Sequence, residues 1–279
     1  MTTQDLWFAE PQAAETRGGV AIFTHDAIAE VVLNRPAVLN ALDLEMWRRV
    51  AEVFSSFADQ PGIRVVILRG AGGRAFSAGA DIAEFRERRT GVAKASEYNA
   101  AIASGLAAVR ETPQPVVAVI DGLAVGGGCE IAAAADFRIA SETSRFGIPV
   151  GRVGVTLGIT EASALTALIG PGWTKRLMMS GELIDADAAL RIGLIEQVVS
   201  REALESETRR IAEAIVAAAP TAARANKLVV NLLTYGSSPE GERALQTLTK
   251  AVYEGGDLQE GIAAFLEKRS PRFEAVDDE

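Results

Sequence analysis

Apolar residues form short runs in some segments of the chain and spaced stripes in others. The short runs end at glycine, proline or polar residues, a pattern typical of buried β-strands. They cover residues 20–23, 28–33, 65–68, 116–120 and 137–140. The connection at residues 24–27, between the first two runs, predicts a β-hairpin.

The spaced stripes predict helices. Between residues 43 and 57, apolar side chains recur at helical spacing, and Pro61 and Gly62 end that segment. A second helix is predicted at about residues 97–110. From residue 161 onward helical spacing dominates, with predicted helices at 202–218, 221–233, 239–252 and 258–268.

Strands that alternate with helices predict an α/β protein whose apolar strands are buried between other layers. The change to almost wholly helical spacing divides the chain into two predicted units. Residues 1–200 form an α/β core that contains the functional site, and residues 201–279 form a helical C-terminal region.

Composition narrows the class of protein. The 279 residues are 48% hydrophobic and 23% charged, which is ordinary for a globular protein. The formal net charge of −9 argues against nonspecific nucleic-acid binding, because that binding neutralises phosphates. A single cysteine excludes an internal disulfide, and no Cys/His cluster suggests a metal site. Residues 1–10 do not resemble a signal peptide, and no apolar run is long enough to span a membrane. We therefore expect a cytoplasmic protein.

The segment DGLAVGGGCE, residues 121–130, carries the first candidate chemistry. It leaves an apolar strand through several glycines and enters an alanine-rich helical stretch. The first turn of a helix has unpaired N–H donors and a partial positive charge, which suits an anion or a developing oxyanion. Glu130 lies in this predicted first turn. The alternative is a tight turn that allows close packing, with Glu130 as a favourable helix-start charge.

A second segment, AFSAGADI at residues 75–82, follows the strand at 65–68 and has the same form. Small residues lead to a predicted helix start, with Asp81 as a candidate N-cap. Two such loops from one sheet are able to direct one N–H each at a single oxygen, which is how an oxyanion hole is built.

Three segments in this order and spacing resemble the crotonase (enoyl-CoA hydratase/isomerase) superfamily: NRPAVLNAL at 34–42, AFSAGADI at 75–82 and DGLAVGGGCEIA at 121–132. The resemblance extends over nearly the whole chain. It implies a spiral of ββα turns followed by a helical C-terminal region used in trimerisation, hence a homotrimer or a dimer of trimers. It also implies an acyl-CoA substrate, with coenzyme A as part of the thioester and no tightly bound cofactor. The implied oxyanion donors are the backbone N–H groups of Ala80 and Gly127.

Glu130 matches the first of two glutamates used by hydratases of the superfamily, one to deprotonate water and one to protonate the α-carbon. The second normally follows a proline. Here Pro149 fits, but Val150 occupies the glutamate position, and valine cannot transfer a proton. Hydration of a 2-enoyl-CoA is the default prediction, with isomerisation, decarboxylation or hydrolysis using Glu130 alone as alternatives. Glu161, at the altered glycine pair that follows, is interpreted as a helix cap or surface charge, with a second carboxylate as the alternative.

The resemblance also implies where coenzyme A binds. The backbone of Ala78, Gly79, Ala80, Asp81 and Ile82 would receive the adenine moiety, and basic residues near the C-terminus would meet the phosphates. Lys268 is the best candidate among these basic residues. The charged run at residues 86–89 is interpreted as a solvated face.

Two other classes stay open. Residues 70–75, GAGGRA, match the G-x-G-x-x-A fingerprint of a nicotinamide-dependent oxidoreductase, although no helix is predicted to follow directly. A catalytically silent acyl-CoA-binding protein would explain Val150 as lost chemistry. His25, the only histidine, is predicted in the hairpin connection and no catalytic role is expected; Cys129 is interpreted as a packing residue.

Overall fold

The computed structural model of the protein describes residues 8–11 and 16–273. The predicted division at residue 200 stays a prediction, and the parts of it that fall on residues 1–7, 12–15 and 274–279 lie outside the described residues. No helix in the described ranges is both long and apolar enough to cross a membrane.

Two sheets form the centre of the molecule. The strands of the described residues are β1 (Thr16–Arg17), β2 (Val20–His25), β3 (Ile28–Leu33), β4 (Val65–Gly70), β5 (Ala75–Ser77), β6 (Val116–Ile120), β7 (Leu123–Val125), β8 (Phe137–Ser141), β9 (Arg145–Gly147), β10 (Ile184–Asp185) and β11 (Gln197–Val199). The larger sheet has the order β1-β2-β3-β4-β6-β8-β11, and the smaller one β10-β9-β7-β5.

The larger sheet contains every strand run predicted from the sequence. β2 and β3 form the predicted hairpin, paired antiparallel from Val20 opposite Leu33 to His25 opposite Ile28. From β3 onward the neighbouring strands are parallel. Every residue of β3 and β6 is buried, as expected for parallel strands covered on both faces.

The smaller sheet was missed from the sequence. Its strands are two or three residues long, and β5 and β7 lie inside the two small-residue segments that the sequence predicts as loops. Runs this short do not reveal an alternating pattern. After the hairpin, three successive strand pairs, β4-β5, β6-β7 and β8-β9, each place one strand in the larger sheet and the next in the smaller sheet before a helix returns. The predicted spiral of ββα turns is confirmed.

The helices surround the sheets and then continue alone. They are α1 (Leu44–Ser56), α2 (Phe85–Arg88), α3 (Val92–Glu111), α4 (Gly127–Ala134), α5 (Val150–Val153), α6 (Ile159–Ser180), α7 (Ala186–Arg191), α8 (Leu204–Val216), α9 (Pro220–Tyr235), α10 (Pro239–Glu254) and α11 (Gly256–Glu267). The long α6 is kinked at Gly170, where φ is +69° and Pro171 follows without an N–H to donate. Helix α3 begins five residues before the predicted start at 97, in an exposed turn.

Helices α1, α3 and α4 pack together beneath the functional segments. Trp47 of α1 is fully buried between two glycines, Gly105 of α3 and Gly127 of α4. A Cβ atom at either glycine would lie 2.9 Å from the indole ring. The absence of side chains at these two positions allows three helices to meet around one large aromatic ring.

Helices α9, α10 and α11 leave large apolar side chains exposed. Leu233 and Phe265 are each more than four-fifths exposed, and Val230, Tyr253 and Leu266 are also largely exposed. Single exposed apolar residues are ordinary, but several on neighbouring helices form a surface that is typical of a protein interface.

Candidate active site

The first candidate oxyanion loop runs from β5 to Ala80. A parallel bridge joins Leu42 to Ala80, in which the Leu42 N–H donates to the Gly79 carbonyl (2.7 Å) and the Asp81 N–H donates to the Leu42 carbonyl (2.9 Å). Ser77 adds a brace, because its Oγ accepts from the Gly79 N–H at 3.1 Å. Within the described part of the chain, the N–H of Ala80 donates to no acceptor. Hydrogen bonds therefore hold the loop in place and leave the Ala80 N–H available to a ligand.

The second loop runs from β7 into α4. Gly126 caps the helix with φ +52°, a conformation that favours glycine, and its N–H donates to the Gly147 carbonyl at 2.8 Å. Gly127 is the first residue of α4, so its N–H has no helical partner, and no other described residue accepts from it.

The two loops touch each other. Gly79 has φ +94°, and a Cβ atom there would lie 2.5 Å from the Val125 carbonyl oxygen and 3.3 Å from the Gly127 nitrogen. Any side chain at this position would push the loops apart. Glycine therefore brings the Ala80 and Gly127 segments together, as the sequence predicted.

The loops form one wall of a cavity of about 160 Å³. Apart from the loops and Trp47, its lining is mostly apolar and includes two charged side chains, Glu130 and Arg89. The remaining lining residues are Ile82, Phe85, Ile102, Pro149, Val150, Val153, Val155 and Leu157. The volume is about that of five water molecules in the liquid, which suits a short acyl group.

Glu130 lies in the first turn of α4 and is only 3% exposed. Burial, reinforced by the charge of Glu161 and opposed by that of Arg89, raises the pKa of Glu130 to about 8. At neutral pH the Glu130 carboxyl is therefore largely protonated. A carboxyl whose pKa lies near the working pH is suited to both giving and accepting a proton.

The interpretation of Glu161 as a surface charge was wrong, because the side chain is buried at the start of a helix. Glu161 lies in the first turn of α6, is 3% exposed, and turns back against Gly158 at the start of the helix. Its charge acts on Glu130 because α4 and α6 are packed together. The charge of Glu161 is thus one of the causes that keep Glu130 protonated. Glu161 is not among the residues that line the cavity, whereas Val150 lines it and adds no proton-transfer group.

The interpretation of residues 86–89 as a solvated face was wrong for Arg89. Its guanidinium lies over the rings of Phe85 and Tyr98, 4.9 and 5.0 Å from their centroids. Arg89 Nη2 donates to Asn99 Oδ1 at 2.8 Å. Arg89 thus enters the cavity, whereas Arg86 and Arg88 are exposed.

The predicted CoA-binding residues fall into two groups. Ala78, Gly79, Ala80 and Ile82 line the cavity. Asp81 caps the turn that follows them and pairs with Arg35 at 2.9 Å. Lys268 is exposed at the end of α11 and does not line the cavity.

The other sequence candidates do not contribute to this site. Residues 70–75 turn from β4 directly into β5, so the helix that a dinucleotide fingerprint requires is not there. His25 is buried at the end of β2, with Nε2 3.4 Å from Glu30 Oε1. Burial raises the pKa of the Cys129 thiol to about 12, which keeps it protonated and unreactive. No group of three potential metal ligands occurs in the described ranges.

Sequence reasoning missed Trp47 and Arg89 as cavity residues. In the sequence, the helical spacing of Trp47 indicates only a core residue. In the structure, its buried indole N–H has no hydrogen-bond partner in the part of the chain described here. Arg89 was hidden in a charged run. A cation at the end of a short, otherwise exposed helix gives no local signal that it turns inward.

Comparison with known proteins agrees with this geometry. The model of the enoyl-CoA hydratase/isomerase family matches residues 24–276. A crotonyl-CoA hydratase of Syntrophomonas wolfei is 34% identical over 251 residues, 89% of this chain and 95% of that protein. A short-chain-enoyl-CoA hydratase of Clostridium acetobutylicum is 35% identical, covering 87% of this chain and 92% of the relative.

Solved structures show the same similarity. An enoyl-CoA hydratase/carnithine racemase from Magnetospirillum magneticum superposes with a TM-score of 0.87 at 36% identity, over 94% of this chain and 97% of that one. The sequence motifs, the ββα spiral and these matches over most of both chains agree: the protein belongs to the enoyl-CoA hydratase/isomerase family, the crotonase superfamily.

Proposed function

We propose that this enzyme adds water to the double bond of a short 2-enoyl-CoA thioester. The observation that carries the proposal is the position of two backbone amides, those of Ala80 and Gly127, on touching loops beside the buried Glu130; neither amide has an acceptor among the described residues. The relatives named as crotonyl-CoA and short-chain-enoyl-CoA hydratases support the same substrate class.

The two amides would bind the thioester oxygen. As water attacks C3 of the enoyl group, negative charge moves onto that oxygen and forms an enolate. Fixed N–H donors in a water-poor cavity stabilise this charge without reorganising, and the loss of one such donor typically costs about 3–4 kcal/mol of transition-state stabilisation. Backbone donors explain why small residues, and not polar side chains, occupy both loops.

Glu130 and Glu161 would handle the protons. Glu130, whose pKa is about 8, holds a proton at neutral pH, so Glu130 would be the donor to C2. Glu161, whose charge acts on Glu130, would accept the proton that leaves the attacking water. The water oxygen bonds to C3, the C2–C3 π bond becomes the enolate, and protonation at C2 restores the thioester. Transfer of the second proton from Glu161 back to Glu130 resets the pair.

Coenzyme A would enter along the loop of residues 78–82, which forms one side of the cavity. Lys268 lies outside the cavity, so it would act only on the distant phosphates, from this chain or from a neighbouring one. Coenzyme A would arrive and leave as part of the thioester.

The exposed apolar surface of α9, α10 and α11 supports a homotrimer or a dimer of trimers. Light scattering is expected to give a mass of three or six chains of 29.4 kDa. Leu233→Asp should lower that mass, because it adds a charge to the surface, whereas Val92→Asp on exposed α3 should not. A wild-type monomer at micromolar concentration would contradict the assembly.

The test of the function is the loss of 2-enoyl absorbance with crotonyl-CoA. Glu130→Gln and Glu161→Gln should each lower kcat by about 100-fold or more, the usual contribution of a positioned acid or base. Glu87→Gln, an exposed carboxyl on α2, is the matched control and should leave kcat unchanged. A wild-type protein that binds crotonyl-CoA without hydrating it would refute the proposal.

Isomerisation between 2- and 3-enoyl thioesters is the second candidate, and Val150 is the observation that favours it. Moving one proton between C2 and C4 needs a single base, which Glu130 supplies. Glu161→Gln distinguishes the two reactions, because it should abolish hydration but spare a proton shift carried by Glu130 alone.

A further inference from the structure

The cavity contains a cation that the proposed hydration does not use. Arg89 lies in the wall of the cavity, and no described carboxylate is within ion-pair distance of it. Its charge acts on Glu130 only from a distance. Within the described residues, the one hydrogen bond of its side chain is from Nη2 to the neutral amide of Asn99. A guanidinium has five N–H donors in a planar fork, so most of its donors remain for a ligand.

Arg89 is held in a fixed orientation. The rings of Phe85 and Tyr98, themselves in edge contact, both lie within about 5 Å of the guanidinium carbon, and Asn99 restrains one end. Arg89 follows the last residue of the short helix α2, and its backbone N–H donates to the Phe85 carbonyl at 2.9 Å. A preorganised fork loses less entropy on binding a carboxylate than a free surface arginine does.

The position of Arg89 selects among possible anions. A CoA phosphate is separated from the thioester by the whole pantetheine arm, whereas Arg89 shares a cavity of about 160 Å³ with Glu130. An anion bound there must belong to the acyl group itself. The rest of this wall is apolar, including Ile102 and Leu157, so a charged acyl end would find Arg89 as its only nearby cation among the cavity residues.

We propose that Arg89 binds a carboxylate at the far end of the acyl group, so that the preferred substrate is the mono-CoA thioester of a short unsaturated dicarboxylic acid. This inference rests on the proposed binding of an enoyl-CoA at the site. Such a carboxylate would accept bidentate hydrogen bonds from Arg89 and compensate the charge of this partly buried guanidinium.

The experiment compares glutaconyl-CoA, which carries a terminal carboxylate, with 2-pentenoyl-CoA, its neutral counterpart of equal chain length. The wild type should show the higher kcat/KM with glutaconyl-CoA. Arg89→Met should lower that value on the order of 10- to 100-fold and change the pentenoyl value little, because a charge-assisted hydrogen bond contributes that much to discrimination. Arg86→Met, on the exposed side of α2, should change neither.

The outcomes separate the two proposals. Equal losses of kcat/KM with both thioesters in Arg89→Met would mean that Arg89 only supports Glu130. A wild-type preference for pentenoyl-CoA would mean that Arg89 binds no carboxylate. Either result overturns the inference and leaves the proposed hydration intact. If neither thioester is hydrated, the proposed function fails. Calorimetry with glutaryl-CoA and butyryl-CoA then tests Arg89 alone, since Arg89→Met must remove a preference for glutaryl-CoA. Without that preference in the wild type, the inference falls.

Discussion

Replacing Glu130 by glutamine should make the folded protein more stable at alkaline pH while it destroys activity. Glutamine has nearly the shape of the protonated carboxyl but carries no charge at any pH. Glu130 is buried beside Glu161, and its pKa is raised from 4.5 to about 8 in the folded protein. The substitution therefore removes the ionisation that the fold resists.

The sign follows from proton binding. Between pH 4.5 and about 8 the folded protein keeps a proton on Glu130 that the unfolded chain has released. The free energy of unfolding of the wild type then falls as pH rises, by about 1.4 kcal/mol per pH unit at most from this group. The stabilisation is complete below the unfolded pKa and is lost as pH passes through the folded pKa. In the glutamine variant the free energy of unfolding does not fall with pH through this group.

The expected magnitude is large enough to measure. Over the whole interval the effect reaches roughly 5 kcal/mol, and between about pH 5.5 and pH 8 it is about 3 kcal/mol. Urea unfolding followed by tryptophan fluorescence, at one protein concentration and several pH values, would give the difference between variant and wild type. That difference should grow with pH in favour of the variant.

The control is Glu87→Gln, which changes an exposed carboxyl on α2. Its stability difference from wild type should not grow with pH. A Glu130→Gln difference that stays constant from about pH 5.5 to pH 8, or that shrinks, would refute the burial argument. It would mean that Glu130 is ionised in the folded protein through a partner.

Three further predictions concern the framework of the site. Gly79→Ala should abolish hydration, because the added Cβ would strike the Val125 carbonyl. Gly91 has a similar φ of +88° but open space around it, so Gly91→Ala should retain activity. Equal losses of activity in the two variants would contradict the contact argument. Asn40→Ala should lower the free energy of unfolding by about 3 kcal/mol in urea titration, since it leaves the Ala71 and Ala75 carbonyls without their buried donor. Asn40→Asp should destabilise similarly, and a neutral result in both would show that water replaces the amide.

Much of the fold was accessible from local patterns. The strands at 28–33, 65–70 and 116–120 are apolar at nearly every position, so their burial between layers followed from composition alone. Asp43 at the start of α1 and Asp81 before the next turn both cap as their residue types predict. The smaller sheet did not show in the sequence, because its strands are stabilised by neighbours distant in the chain.

The candidate site divides in the same way. The sequence by itself indicated the two small-residue loops and the position of Glu130, since glycines before a helix leave free N–H groups at its first turn, whatever surrounds them. Only the tertiary structure decided that the charge of Glu161 acts on Glu130 and that Arg89 lines the cavity. The sequence shows directly which side chains carry a charge. Whether it meets water or a buried neighbour depends on how α6 packs on α4 and where α2 ends, and no residue spacing encodes either arrangement.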